Sequence, residues 1–352
     1  MVSGFEDVIG HTPVLTLLNG ETESPTHAYL LVGPASVGKA TVARRFAALL
    51  LCPDGSESCR RRVVSGVHPD LVLVEPDGRT ALTVDQARST VARASLAPLE
   101  AARKVFLFEE AGLMNDEAAN ALLKTLEEPS PTTVFLLVAE SEDDFPATVA
   151  SRCRTVVFGR VSDEEVAAAL AARGVEPQQA ERAAGASGGR PGLALMLATR
   201  PEVAAFRRAW LSVPTRLPAS PGEAFRLAQE LAGVSEGLLP AAEERKRRDE
   251  DGYESGGAIL KEKQERERRR AAAALYVTGL EILASWYRDA AAAQFGAPVR
   301  NRDLSPAVLT TVTPASAVAK AQRVMATVES LEANQRAELA FAALFADLAV
   351  SQ

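Results

Sequence analysis

The sequence predicts an α/β fold over its first half, a parallel sheet with helices on both faces, and an all-helical remainder. Three observations predict it. Short continuous apolar runs alternate with helical patterns as far as about residue 157, as strands buried on both faces require. A glycine-containing loop, Gly33-Pro34-Ala35-Ser36-Val37-Gly38-Lys39-Ala40, falls between one such run and a helical stretch. Beyond Ser162 the strand signals fade and alanine- and leucine-rich helical patterns take over.

In chain order, the runs at 28–32, 71–74, 105–108, 134–138 and 155–158 read as strands. Helical patterns at 41–51, 84–94 and 116–126 lie between them, with Asp85 placed near a helix start where the dipole favours an acid. Residues 163–172 and 177–184 read as short helices. Gly188-Gly189-Arg190-Pro191-Gly192 then marks a turn into a helix at 193–199. After Pro201 the chain reads as helix, broken at Pro214, Pro221 and Pro240. A mixed-sign charged stretch, 243–270, reads as a solvated or partly disordered segment. Amphipathic helix patterns return at 271–292 and 315–348.

With 352 residues, two or three domains are expected. A charged fraction of 24% and a hydrophobic fraction of 47% are those of a soluble globular protein. The net charge of −7 argues against a whole-chain electrostatic grip on nucleic acid. Three cysteines, Cys52, Cys59 and Cys153, make no disulfide framework, which suits a reducing cytosol. The N-terminus carries no basic-then-apolar signal, and no charge-free apolar run reaches the roughly 18 residues of a membrane span. A cytoplasmic location is expected.

The loop at 33–40 is the phosphate-binding pattern G-x-x-x-x-G-K-[ST] with Ala40 in place of the hydroxyl that holds Mg²⁺. Backbone N–H groups would curl around phosphate, and Lys39 would add a point charge. Thr41 does not substitute for the hydroxyl, because one helical step is a rotation of about 100°. Lys104-Val105-Phe106-Leu107-Phe108-Glu109-Glu110 has the form of a Walker B strand, whose first acid supports Mg²⁺ and whose second, Glu110, polarises water. Glu109 is one methylene longer than the usual aspartate and would crowd a tight Mg²⁺ shell. Taken alone, the two glutamates are equally a solvated loop, and Arg152 in Ser151-Arg152-Cys153 reads first as a surface ion-pair partner.

Together these pieces resemble the AAA+ clamp-loader family. The resemblance rests on Phe5-Glu6-Asp7-Val8-Ile9-Gly10-His11, the phosphate loop, His68-Pro69-Asp70-Leu71, the Glu109-Glu110 strand and Ser151-Arg152-Cys153. The run Ala119-Asn120-Ala121-Leu122-Leu123-Lys124-Thr125-Leu126-Glu127-Glu128-Pro129 is especially specific. The resemblance is strong over 1–200 and weak beyond, where the arginine- and alanine-rich half is similar to actinobacterial members.

The resemblance implies an AAA+ P-loop domain over 1–160, a small helical lid over 161–205 and a helical oligomerisation collar over 206–352. It implies that Val8, Ile9 and Gly10 lie against adenine, and that Gly33, Gly38 and Lys39, with Ala40 and Thr41, form the phosphate cradle. Arg152 matches the arginine finger that reaches the nucleotide of a neighbouring subunit. Arg190 matches a second sensor within the same subunit, or is simply a helix-cap arginine. Glu110 is then the remnant of a degenerate Walker B site. ATP or ADP binding is expected to be weak or vestigial, with Mg²⁺ present only with nucleotide. Some members carry a cysteine-rich zinc module after the first helix. Here only Cys52 and Cys59 remain, Arg62 and Ser65 stand where further cysteines would be, and His68 is not read as a substitute, so no zinc is expected.

The role implied is that of a non-motor clamp-loader subunit. Its partners would be motor subunits of the gamma/tau type and a delta-type subunit, with the sliding clamp and primed DNA met through the assembled ring and no membrane involved. The chain alone would not be a catalyst, and a DNA polymerase label would describe the holoenzyme. The alternative is an active, ATP-hydrolysing motor subunit of the same family.

Overall fold

The computed structural model describes residues 4–74, 82, 84–239, 257–332 and 336–350. Five strands, β1 (Ala28–Val32), β2 (Leu71–Leu73), β3 (Lys104–Phe108), β4 (Thr133–Val138) and β5 (Arg154–Val157), form one parallel sheet in the order β2-β3-β4-β1-β5. Strand β1 lies between β4 and the edge strand β5, pairing Tyr29 with Leu136 of β4 and with Arg154 of β5.

The period-2 geometry of a strand sends alternate side chains to opposite faces. Tyr29 and Leu31 therefore enter one core, with Phe46 and Ala47 of the helix that follows β1. Ala28, Leu30 and Val32 enter the other, with Leu122 and Leu126. Because both faces are covered, β1, β3 and β4 are buried at every position and read as unbroken apolar runs. Strand β5 is an edge, and Val157 is largely exposed there.

Seven helices accompany the sheet among the described residues: α1 (Thr12–Gly20), α2 (Lys39–Leu51), α3 (Glu57–Val64), α4 (Val84–Ala94), α5 (Asp116–Glu127), α6 (Ala147–Ala150) and α7 (Asp163–Ala171). They continue as α8 (Pro177–Ser187), α9 (Pro191–Thr199), α10 (Pro201–Ser212), α11 (Pro221–Glu236), α12 (Gly257–Gln294), α13 (Pro306–Leu309), α14 (Pro314–Glu332) and α15 (Ala337–Val350). The chain divides into two compact units. One comprises Met1–Gly174 with Ser187–Ala194, the other Val175–Ala186 with Leu195–Gln352. The second has its own core, built on Trp210, Trp286, Tyr287, Phe341 and Phe345.

Two local expectations need correction, and a third falls partly outside the described residues. The sequence pattern contained no helix at α1 or α3. Helix α3 buries only Val63, so it carries almost no apolar periodicity, and it is held instead by Ser56, whose hydroxyl accepts from the Cys59 N–H. The cysteines were expected to stay unpaired, yet Cys52, just after α2, and Cys59 in α3 form a disulfide. Their neighbourhood is set by α2 packing on α3, a tertiary contact invisible to a count of thiols. The charged stretch 243–270 lies partly outside the described residues, but from Gly257 onward its backbone is the start of α12.

Candidate functional site

The loop after β1 has the backbone of a phosphate cradle. Gly33 has φ 145° and sits against the carbonyl of Phe158, where a Cβ would collide. Its N–H donates to Glu140 O at 3.1 Å, while the Phe158 N–H donates to Val32 O at 2.7 Å. Both flanking strands therefore fix the loop. Ser36 is left-handed at φ 61°, and Gly38 at φ 106° has nothing within 4 Å of where a Cβ would lie. Helix α2 starts there with no side-chain cap and no acid in its first turn. Its first turn therefore carries no side-chain cap or acid that would compete with an anion for the helix N-terminus.

Lys39 is buried, at 7% exposure, and its ammonium donates to Gly33 O at 2.5 Å and Pro34 O at 2.7 Å. Burial lowers its pKa, and the carboxylates of Glu140 and Asp144 oppose that shift. The lysine is thus folded onto the carbonyls of its own loop.

The segment matched to adenine is fastened to this loop. Ile9 is buried, Val8 packs on the core under α2, and Gly10 at φ 78° leaves no room for a Cβ against Val161. His11, itself left-handed at φ 59°, donates from Nε2 to Val37 O at 2.9 Å and packs edge-on to Phe158. A carbonyl cannot donate, so this contact fixes the protonated nitrogen as Nε2. The sequence reading took His11 only as part of a motif and missed this contact, whose partner is a backbone carbonyl 26 residues away.

The metal side of the cradle has a different character. Ala40 supplies no oxygen, and Thr41 is exposed. Both oxygens of Glu109 are taken by Arg44 of α2, through Nε and, at 2.7 Å, Nη2. Arg44 also donates from Nη1 to Val64 O at 3.0 Å, which anchors the guanidinium. A fixed cation therefore already neutralises the carboxylate that would help hold Mg²⁺. Glu110 is exposed and precedes the short turn Ala111–Leu113. The residues present fit a phosphate group but do not fit its metal shell. Sequence reasoning missed Arg44, whose partner Glu109 lies 65 residues away in the chain.

Arg190 is buried at 8% exposure, and its Nε donates to Ser187 O at 3.0 Å, just ahead of α9. Arg152 lies on the surface after α6. Its Nη2 pairs with Glu127 Oε1 at 2.6 Å, and its Nη1 donates to Thr148 O at 2.7 Å. The ion-pair geometry read from sequence as one alternative is therefore present, with the guanidinium still partly exposed.

A separate cluster joins Cys52, Cys59 and His68, whose ligand atoms lie within 4.8 Å of one another. The two sulfurs are bonded to each other, and His68 Nδ1 accepts the Asp70 N–H at 3.1 Å. Three donors, two of them mutually bonded, do not fit a closed tetrahedral zinc site.

Residues 14–162 match the family profile described as "DNA polymerase III, delta subunit". Over 135 residues the chain is 42% identical to DNA polymerase III subunit delta' of Pseudomonas aeruginosa, covering 36% of this chain and 41% of that protein. Over 166 residues it is 35% identical to the delta' subunit of Bacillus subtilis, covering 46% and 50%. The N-terminal region is thus similar to delta-prime subunits. It is also 32% identical over 171 residues to the tau subunit of Bacillus subtilis, covering 46% of this chain and 30% of that protein. The matched region spans half or less of these relatives' length. The cradle, Glu109, Glu127 and Arg152 all fall within the matched region. Among the described residues no helix is long and apolar enough to cross a membrane.

Proposed function

We propose that this chain is a non-motor clamp-loader subunit of the replicative polymerase, which presents Arg152 to the ATP site of a neighbouring motor subunit and whose own nucleotide site is vestigial. The observation that carries this reading is the asymmetry of charge. The carboxylate on the metal side of its own cradle is bound by Arg44, while Arg152 stands partly exposed on the surface. A guanidinium delivered in trans neutralises transition-state charge on a transferring phosphoryl group, worth roughly 10³–10⁵ in rate. Similarity to gamma/tau as well as delta-prime chains supports partners of the gamma/tau and delta types. The sliding clamp and primed DNA would be met by the assembled ring in the cytoplasm. Nucleotide, if bound, would sit on the Gly33–Lys39 backbone with little help from Mg²⁺, Arg190 would serve the lid rather than the phosphates, and zinc has no role.

Arg152→Ala in a ring reconstituted with the motor subunits tests the proposal. Assembly should persist and DNA-stimulated ATPase should collapse, whereas the isolated wild-type chain should not hydrolyse ATP. Lys39-dependent hydrolysis by the isolated chain would instead support the motor reading favoured by the tau similarity.

A further inference from the structure

Glu127 and Glu128 close α5 at its C-terminal end, followed by Pro129. That is the wrong end for acids. The last-turn carbonyls carry the negative pole of the helix dipole, so a carboxylate there works against the helix. Helix stability does not account for Glu127, and the contact it makes does. Its Oε1 receives Arg152 Nη2 at 2.6 Å, while Thr148 O receives Nη1 at 2.7 Å and Ser151 Oγ lies 3.4 Å from the same nitrogen. The guanidinium is thus held from two sides, by α5 and by α6. An arginine side chain otherwise spreads over many rotamers, and a planar fork gripped at both terminal nitrogens is confined to one. The remaining N–H groups keep a set direction at a partly exposed surface.

We propose that Glu127 is a positioning residue for Arg152, presetting the guanidinium before it meets a neighbouring nucleotide. This rests on the trans role of Arg152 proposed above. The carboxylate acts as an acceptor that aims the side chain, and its charge is secondary. An exposed pair of this kind adds little to folding stability, so its loss should be read in catalysis and not in the melting curve.

The test uses the full chain in a ring assembled with its gamma/tau-type and delta-type partners, assayed for DNA-stimulated ATPase, with Arg152→Ala setting the floor. Glu127→Ala should lower kcat on the order of tenfold through restored rotamer freedom, with KM and the thermal midpoint unchanged. Glu127→Gln keeps an acceptor oxygen and should recover most of the rate. Glu128→Ala removes the neighbouring charge without touching the contact and should match wild type. Wild-type or faster turnover by Glu127→Ala, in rings where Arg152→Ala is inactive, would overturn the positioning role alone. Equally slow Glu127→Gln would overturn it too, by showing that charge is what matters. Full activity of Arg152→Ala would remove the trans role and the positioning role together.

Discussion

A single methylene decides much of the chemistry at Glu109. The longer side chain reaches Arg44, and both oxygens are engaged there. Restoring the missing hydroxyl alone should therefore fail. Ala40→Thr is expected to leave nucleotide affinity indifferent to Mg²⁺, while Ala40→Thr with Glu109→Asp should make binding Mg²⁺-dependent, as titration of a fluorescent nucleotide with and without chelator would show. Asp70 is a second decisive residue. It is fully buried, and it accepts the N–H groups of Leu99, Glu100 and Ala101 at 2.6, 2.8 and 2.8 Å. Burial pushes its carboxyl pKa up, but these three donors outweigh that and hold it below the ordinary value of 3.8. Asp70→Ala strands three donors and should cost about 3 kcal/mol in urea unfolding. Because the folded pKa is the lower one, Asp70 contributes its stability above pH 3.8 and loses it as pH falls through the folded value. Asp70→Asn should flatten that acid limb. The cradle residues were legible because Gly-x4-Gly-Lys spacing has few other uses. Arg44 and Glu127 were not, since each acts through a partner distant in sequence.

At the scale of elements, legibility followed burial. Strands β1, β3 and β4 showed as apolar runs because both faces are covered, whereas α3 is polar almost throughout and was missed. Strand β4 and its neighbours were placed within a residue, since their ends are set by hydrogen bonding and not by hydropathy. The pattern at 315–348 resolves into α14 and α15, because amphipathicity alone does not record a break between similar helices. The Cys52–Cys59 bond fastens α2 to α3 across a sequence separation of 7. Its reduction should cost about 2 kcal/mol by the loop-entropy account. Thiol titration of unfolded, unreduced chain should find Cys153 alone. Helix α12 offers a stricter test of packing. A Cβ at Gly279 would enter the indole ring of Trp210 on α10. Gly279→Ala should therefore destabilise by about 2 kcal/mol through overpacking, despite the gain in helix propensity.

For the whole molecule, the division into two units has a spectroscopic consequence. Both tryptophans, Trp210 and Trp286, are buried in the core of the second unit. Indole emission therefore reports that unit, while far-ultraviolet dichroism averages over both. Gly279→Ala should shift the emission midpoint during urea unfolding, which a dual-probe titration would record. The boundary itself was poorly legible, because α7 to α10 are all short alanine-rich helices with no change of composition between them. The buried ammonium of Lys39 adds a different kind of readout. Held on the carbonyls of Gly33 and Pro34, it is shielded from amine-reactive reagents until the loop opens. The acylation rate of this one lysine, followed by peptide mass spectrometry, then becomes a clock for loop opening that runs without nucleotide, partner or turnover.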